Sequence, residues 1–222
     1  MAKRGRPASF NRSEALERAM ELFWSRGYEA TTLEDLQTAM GIINPPSFYH
    51  AFGSKEALFR EAVDLYVATM GAPMLRALDE GKTARESIET MLRMAVKAHA
   101  QPGKPHGCFL LRGAITCAPS STGAHDYVQA IRQRTPKVIK QRLDRAVANG
   151  ELAQNLDTSS VAAFYATVSY GLAIRAGDGA SHKALTAAVD GAMAAWDTLT
   201  SRGKIESKTR RSADSRNTSR QR

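Results

Sequence analysis

The chain has 222 residues, 43% hydrophobic and 24% charged, with a net charge of +9. That length and apolar share support one large or two small folded domains and exclude a wholly disordered chain. No apolar run approaches the roughly 20 residues of a membrane-spanning helix, and the opening Met-Ala-Lys-Arg-Gly-Arg-Pro lacks the apolar core of a secretory signal, so the expected location is the cytoplasm.

The charge is unevenly placed. Lys3, Arg4, Arg6 and Arg12 fall in residues 1–13 without an acid, and residues 201–222 hold eight bases against Glu206 and Asp214. A near-neutral body between two basic ends points to a polyanionic partner. The bland alternative is that the ends only aid solubility. Cys108 and Cys117 are the only cysteines, spaced neither as a zinc site nor as a redox pair. The five histidines are scattered without metal-ligand spacing. Reduced thiols are expected, with no metal and no cofactor.

The expected fold is all-α, with about nine helices. Period-3.6 apolar patterns recur and no window sustains period-2 alternation. The first helix runs from about Arg12 to Ser25, with Asn11 as N-cap and Glu14 three residues on. Ala15, Leu16, Ala19, Met20, Leu22 and Phe23 form its apolar stripe, and Gly27 ends it. The second helix starts at Thr31 or Thr32, since Thr31 with Glu34 and Thr32 with Asp35 both fit a capping box. Leu33, Leu36, Ala39 and Met40 face inward, and Gly41 supplies the turn. The third helix is short, from Pro45 or Pro46 to about Ala51. Proline is welcome in a first turn but pushes its predecessor out of the helical region, which makes Pro46 the more comfortable first residue.

A fourth helix follows Ser54, a good N-cap, and carries Leu58, Phe59, Val63, Tyr66 and Val67 inward. Gly71 and Pro73 should bend or break it. Further helical patterns lie at about 83–101, 108–118, 124–149, 157–176 and 182–200, separated by breaker-rich pieces. Past Arg202 the chain is polar and should be disordered.

In the last two helices Val161, Phe164, Val168 and Leu172 step by three or four. So do Leu185, Val189, Ala192, Trp196 and Leu199. Small residues flank both rows, a pattern suited to bundle packing. These rows are either intramolecular core or the interface of a twofold dimer.

Residues 27–59 carry the functional signal. Sequence-specific DNA recognition needs phosphate contacts for register and base-edge contacts for reading. Thr31 and Thr32 put hydroxyls and free N–H groups at one helix start. Ser47, Tyr49 and His50 sit on or beside the third helix. Phe48 and Phe52 share a face and should be core, which turns Tyr49 and His50 outward. Lys55 lies in the first turn of the fourth helix, where its charge opposes the helix dipole; a bound phosphate would reverse that penalty. Arg4 and Arg6 form a flexible basic arm of the kind that enters minor grooves.

This window resembles the TetR/AcrR family of bacterial regulators. The resemblance rests on Arg26-Gly27-Tyr28-Glu29-Ala30-Thr31-Thr32, Ala39-Met40-Gly41-Ile42, Ser47-Phe48-Tyr49 and Phe52-Gly53-Ser54-Lys55-Glu56-Ala57-Leu58-Phe59, and covers residues 10–66. It implies an all-helical homodimer. An N-terminal helix-turn-helix domain over 1–54 would bind a palindromic operator in double-stranded DNA. A helical domain over 55–200 would hold a small-molecule effector and the dimer interface, usually made by the last two helices, and a basic tail would fill 201–222. The resemblance also implies phosphate contacts for Thr32, Ser47, Tyr49 and Lys55, and base contacts for Pro46 and His50. One departure stands out: from Gly41 to Phe52 the chain is one residue longer than the family's spacing, and Ile43 is the extra residue.

For an effector cavity the candidates are Met70, Met74, Met91, Met94, Phe109, Leu110, Tyr127, Phe164 and Tyr165, with His99, His106 and Arg112 to fix a polar group. Core filling is the competing role for each. Cys108 opens a helix, where a thiolate would be stabilised; an inert buried thiol is the alternative. The reading that follows is a ligand-responsive repressor, not an enzyme, because no nucleophile–base pair can be named. The alternatives are a helical carrier or enzyme without DNA specificity, and a low-specificity DNA-coating protein.

Overall fold

The computed structural model describes residues 11–114 and 121–201, and every regular element among them is helical. The elements are α1 (Arg12–Arg26), α2 (Leu33–Met40), α3 (Pro45–Phe52), α4 (Lys55–Tyr66), a π-helical turn (Val67–Gly71), α5 (Ala72–Glu80), α6 (Ala84–His99), α7 (Phe109–Arg112), α8 (Thr122–Arg132), α9 (Arg134–Ala148), α10 (Thr158–Gly177) and α11 (His182–Ala194). Taking Lys55–Glu80 and Thr122–Ala148 as continuous stretches, the described elements number nine. Arg4, Arg6, Cys117 and the tail past Ser201 lie outside the described residues.

Local chemistry sets the first four helix starts. The Asn11 side chain accepts from the Ser13 and Glu14 N–H groups and donates to Glu14. At α2 the cap is Thr32, whose hydroxyl accepts from the Asp35 N–H while the Asp35 carboxylate accepts from the Thr32 N–H. Ser54 caps α4 through the Ala57 N–H at 3.0 Å. At α3 the expectation needs correction, because Pro45, not Pro46, is the first helical residue. Asn44 is extended (φ −139°, ψ 147°), as a residue before proline should be, and its Oδ1 accepts from the Ser47 N–H at 3.0 Å. The two prolines thus occupy positions whose N–H groups would have no helical partner.

Gly71 and Pro73 do not end the helix that begins at Lys55. The chain passes through a π-turn in which the Ala72 N–H reaches back to the Val67 carbonyl. One wider turn relieves the clash between a proline ring and the carbonyl four residues earlier.

The chain divides into two compact units. One comprises the residues up to Pro73, Ala98–Gln133 and Ala173–Ala180; the other comprises Met74–Lys97, Arg134–Leu172 and the residues from Ser181 onward. This grouping differs from the expected division after residue 54. The physical reason is a shared aromatic core. Phe59 of α4 meets Phe23 of α1 at 5.2 Å, Tyr28 at 4.9 Å and Phe109 of α7 at 5.6 Å between ring centroids. Tyr66 of α4 meets Trp24 at 5.0 Å and Phe109 at 5.7 Å. α1, Tyr28, α4 and α7 therefore desolvate one another's rings and cannot be parted without exposing them.

His99 also belongs to this first unit. It is 5% exposed, and its Nδ1 has no hydrogen-bond partner among the described residues. Burial pushes the imidazole down to about 4, against a weaker opposing pull from the Gly107 backbone. Above the ordinary value near 6.5, folded and unfolded chains are both neutral at this site. As pH falls toward 4 the unfolded chain takes up a proton that the folded one refuses, so stability declines through that window. The expected loss is about 2–3 kcal/mol between pH 7 and pH 4.5. Urea titrations of the protein and of His99→Gln should show a flatter pH dependence for the variant. Equal slopes would mean that the ring is hydrated in the native state.

In the second unit, Arg142 of α9 is buried, with its Nε 3.1 Å from Ser87 Oγ of α6 and its Nη1 3.4 Å from Glu151. Glu151 also accepts the Ala84 N–H at the start of α6. The buried guanidinium is thus paired and hydrogen-bonded, as low dielectric requires.

The last two helices correct another expectation. Val161, Leu172, Leu185, Val189, Ala192 and Trp196 are all under 9% exposed within a single chain. The Tyr165 hydroxyl donates to the Ala192 carbonyl at 3.3 Å, and its ring lies 5.7 Å from that of Trp196. Those six positions are therefore chain interior. Of the expected interface residues, Phe164 is exposed and Val168 and Leu199 are half-buried. The outward positions are mostly small: Ala163, Thr167 and Gly171 on α10, and Ala184, Ala187, Ala188 and Gly191 on α11.

Candidate nucleic-acid interface

The α2–turn–α3 segment is anchored from inside. Leu36 and Met40 of α2, Ile42 of the turn, and Phe48 and Phe52 of α3 are buried. Gly41 takes φ 71°, ψ 28°, a left-handed conformation that a side chain would strain, and its N–H closes back on α2. With Phe48 and Phe52 inward, Tyr49 is 52% exposed and His50 and Pro46 are exposed, as their spacing predicts. Ser47 is half-buried beside them.

The electrostatics favour an anion. No Asp or Glu occurs between Asp35 and Glu56, so α3 and its turn carry no carboxylate. Asp35 is held below the usual carboxylate range, first by the Thr32 backbone N–H, then by the Thr32 hydroxyl and by Arg26. The Arg26 guanidinium pairs with it at 2.9 Å. That ion pair offsets the charge of one of the two carboxylates in the first turn of α2, the other being the exposed Glu34.

Thr31 must be withdrawn from the contact set. It is fully buried, and its hydroxyl donates to the Gly27 carbonyl at 2.7 Å. Of the two threonines only Thr32 presents a surface hydroxyl, already shared with Asp35 at 2.7 Å. Lys55 is half-buried, with its ammonium 4.3 Å from the centroid of the Tyr28 ring. That ring face offsets part of the penalty of a lysine at a helix start, and it holds the charge at the α4 N-terminus. Tyr28 was missed as a site residue because its role depends on a contact 27 positions along the chain. Asn44 was missed as a cap because two prolines made the start of α3 ambiguous.

The expected effector residues are divided between the units. Phe109 is fully buried in the aromatic core of the first, and Met91 and Tyr165 are fully buried in the second. Met70 and Tyr127 are half-buried in the first unit, Met74 and Met94 in the second. Phe164 stands on the surface. Tyr127 donates to Asp64 at 2.5 Å, and Arg112 to the Gly177 carbonyl at 3.2 Å. An open groove in the first unit, between Arg18, Glu21, Leu22 and Ser25 of α1, Ala39 of α2 and Gly103–Pro105, includes none of them. Cys108 stands at the N-cap position of α7 without a capping bond from its side chain, and the Tyr66 hydroxyl donates to its sulfur at 3.4 Å. Burial pushes its thiol up, so the helix start does not yield the thiolate that was considered.

Among the described residues no cluster of three or more His, Cys, Asp or Glu could hold a metal ion, and no helix is long and apolar enough to cross a membrane.

Comparison with known proteins bears on most of the chain. The profile of bacterial regulatory proteins of the tetR family matches residues 15–62, and that of the tetracyclin repressor-like C-terminal domain matches residues 83–192. The HTH-type transcriptional repressor ComR of Escherichia coli is 31% identical over 88% of this chain and 93% of its own length. BdcR, another HTH-type transcriptional repressor of that bacterium, is 32% identical over 82% and 87%. A solved structure of a cysteine-substituted form of the TetR family transcriptional regulator CifR, complexed with 26 bp double-strand operator DNA, is 40% identical. It superposes with a TM-score of 0.83, covering 86% of this chain and 99% of that one. With matching profiles at both ends and full-length relatives, the chain belongs to the tetR family of bacterial regulatory proteins.

Proposed function

We propose that the protein is a homodimeric, cytoplasmic transcriptional repressor that binds a palindromic operator and is released by a small molecule. The observation that carries this reading is the α3 surface: Pro46, Tyr49 and His50 stand exposed on a helix with no carboxylate, braced by buried Phe48 and Phe52. In this reading α3 lies in the major groove, where Pro46 and His50 meet base edges. Thr32, Ser47, Tyr49 and Lys55 hold phosphates. Arg4 and Arg6 follow the minor groove. Dimerisation uses the outward faces of α10 and α11, where Phe164 and Ile174 of α10 are the large apolar residues among alanines and glycines. The effector site is assigned to the helical part past residue 54, and the role is regulatory, not catalytic.

Selection of bound fragments from the host genome at about 150 mM salt tests the reading, because nonspecific binding weakens steeply with salt. A recovered near-palindrome is expected. Against it, His50→Ala should lose about 1–3 kcal/mol of discrimination at one base pair, while Lys55→Ala should weaken all duplexes alike and flatten the salt slope. Recovery of DNA without a motif would favour a low-specificity coating protein, and His50→Ala with unchanged base preference would remove His50 from the reading set.

A further inference from the structure

We propose that Ile43 is a base-reading residue that packs against the 5-methyl group of a thymine in the major groove. The inference rests on taking the α2–α3 surface as the DNA interface. Four large apolar side chains are exposed among the described residues: Ile43 at 91%, Tyr49 at 52%, Ile174 at 51% and Phe164 at 36%. The last two belong to α10. The first two belong to the α2–α3 segment, Ile43 standing in the turn immediately before the capping Asn44 and Tyr49 within α3.

The turn that carries Ile43 is held on both sides. Before it, Ile42 is 4% exposed, and its N–H donates to the Gln37 carbonyl at 2.9 Å. After it, Asn44 is fixed by its bond to the Ser47 N–H, and Pro45 and Pro46 have restricted backbones. Ile43 is therefore presented in one place, and little chain entropy is lost when something packs on it. Its side chain has no group that can bond a phosphate, and no carboxylate lies between Asp35 and Glu56 to repel the DNA backbone. On the base edges of the major groove the apolar group is the thymine methyl. An aliphatic side chain at the entry of a recognition helix meets that chemistry and gains by burying it.

The test removes the methyl group alone. The preferred duplex is selected with the wild-type protein, and each thymine is then replaced in turn by deoxyuridine. Affinity is measured for wild type, Ile43→Ser and Ile43→Val. One thymine per half-site should cost wild type about fourfold when its methyl is removed. At that position Ile43→Ser should bind both duplexes equally, and Ile43→Val should keep the wild-type dependence. Because Ile43 is exposed, circular dichroism and the thermal midpoint should not change. The proposal is overturned if Ile43→Ser keeps the methyl dependence at every thymine, or weakens all duplexes equally. Failure of the underlying reading looks different: wild type would select no motif, or His50→Ala and Lys55→Ala would bind as wild type does, and this inference would fall with it.

Discussion

Phe164→Glu is expected to convert the protein to a monomer and to lower its affinity for a twofold operator by about 10²- to 10⁴-fold. The side chain is 36% exposed on α10, so a carboxylate there meets water in the single chain and costs little folding stability. In a dimer built on the outward faces of α10 and α11, two such carboxylates would be buried without partners. Each half-site would then be bound alone, without the effective concentration that linkage supplies. Sedimentation velocity reads the mass, and titration of the selected operator reads the affinity. A variant that stays dimeric would move the interface elsewhere, and Val161 or Val189 could not replace Phe164 there, because both are chain interior.

Phe59→Ala is the second large effect, expected to cost about 3–5 kcal/mol of unfolding free energy. Its ring is fully buried and contacts Phe23, Tyr28 and Phe109, so truncation leaves a cavity among three rings that cannot all collapse into it. A typical domain has only about 5–15 kcal/mol in total. Tyr28 is also the ring beneath Lys55, so the loosened core should weaken operator binding before global unfolding. Urea unfolding at pH 7 checks the first expectation, and operator titration over a temperature range checks the second. A loss below about 1 kcal/mol would mean that the site repacks.

The contrast between Thr31 and Thr32 shows how far reading along the chain reaches. Both carry a hydroxyl and an acid three residues on, so local pattern ranks them equally. Thr31 is nonetheless fully buried, with its hydroxyl on the Gly27 carbonyl, in a connection whose Tyr28 ring packs on Phe23 and Phe59. The two rows in α10 and α11 show the same limit. Their spacing grouped Phe164 and Val168 with Val161 and Leu172, although Phe164 is exposed and Val168 half-buried, and it did not say whether a side faced its own chain or a copy.

By itself the sequence determined the all-helical fold, the caps at Asn11 and Ser54, the turn at Gly41, the inward Phe48 and Phe52, and hence the outward Tyr49 and His50. Those features depend on contacts within a few residues, where backbone geometry and apolar spacing suffice. Only the tertiary structure decided that Thr31 is buried, that Lys55 rests on Tyr28, that the thiol of Cys108 is pushed up, and that Val161, Leu172, Leu185, Val189, Ala192 and Trp196 are interior. Each of these depends on which distant element removes water from the group, and a linear pattern does not carry that information.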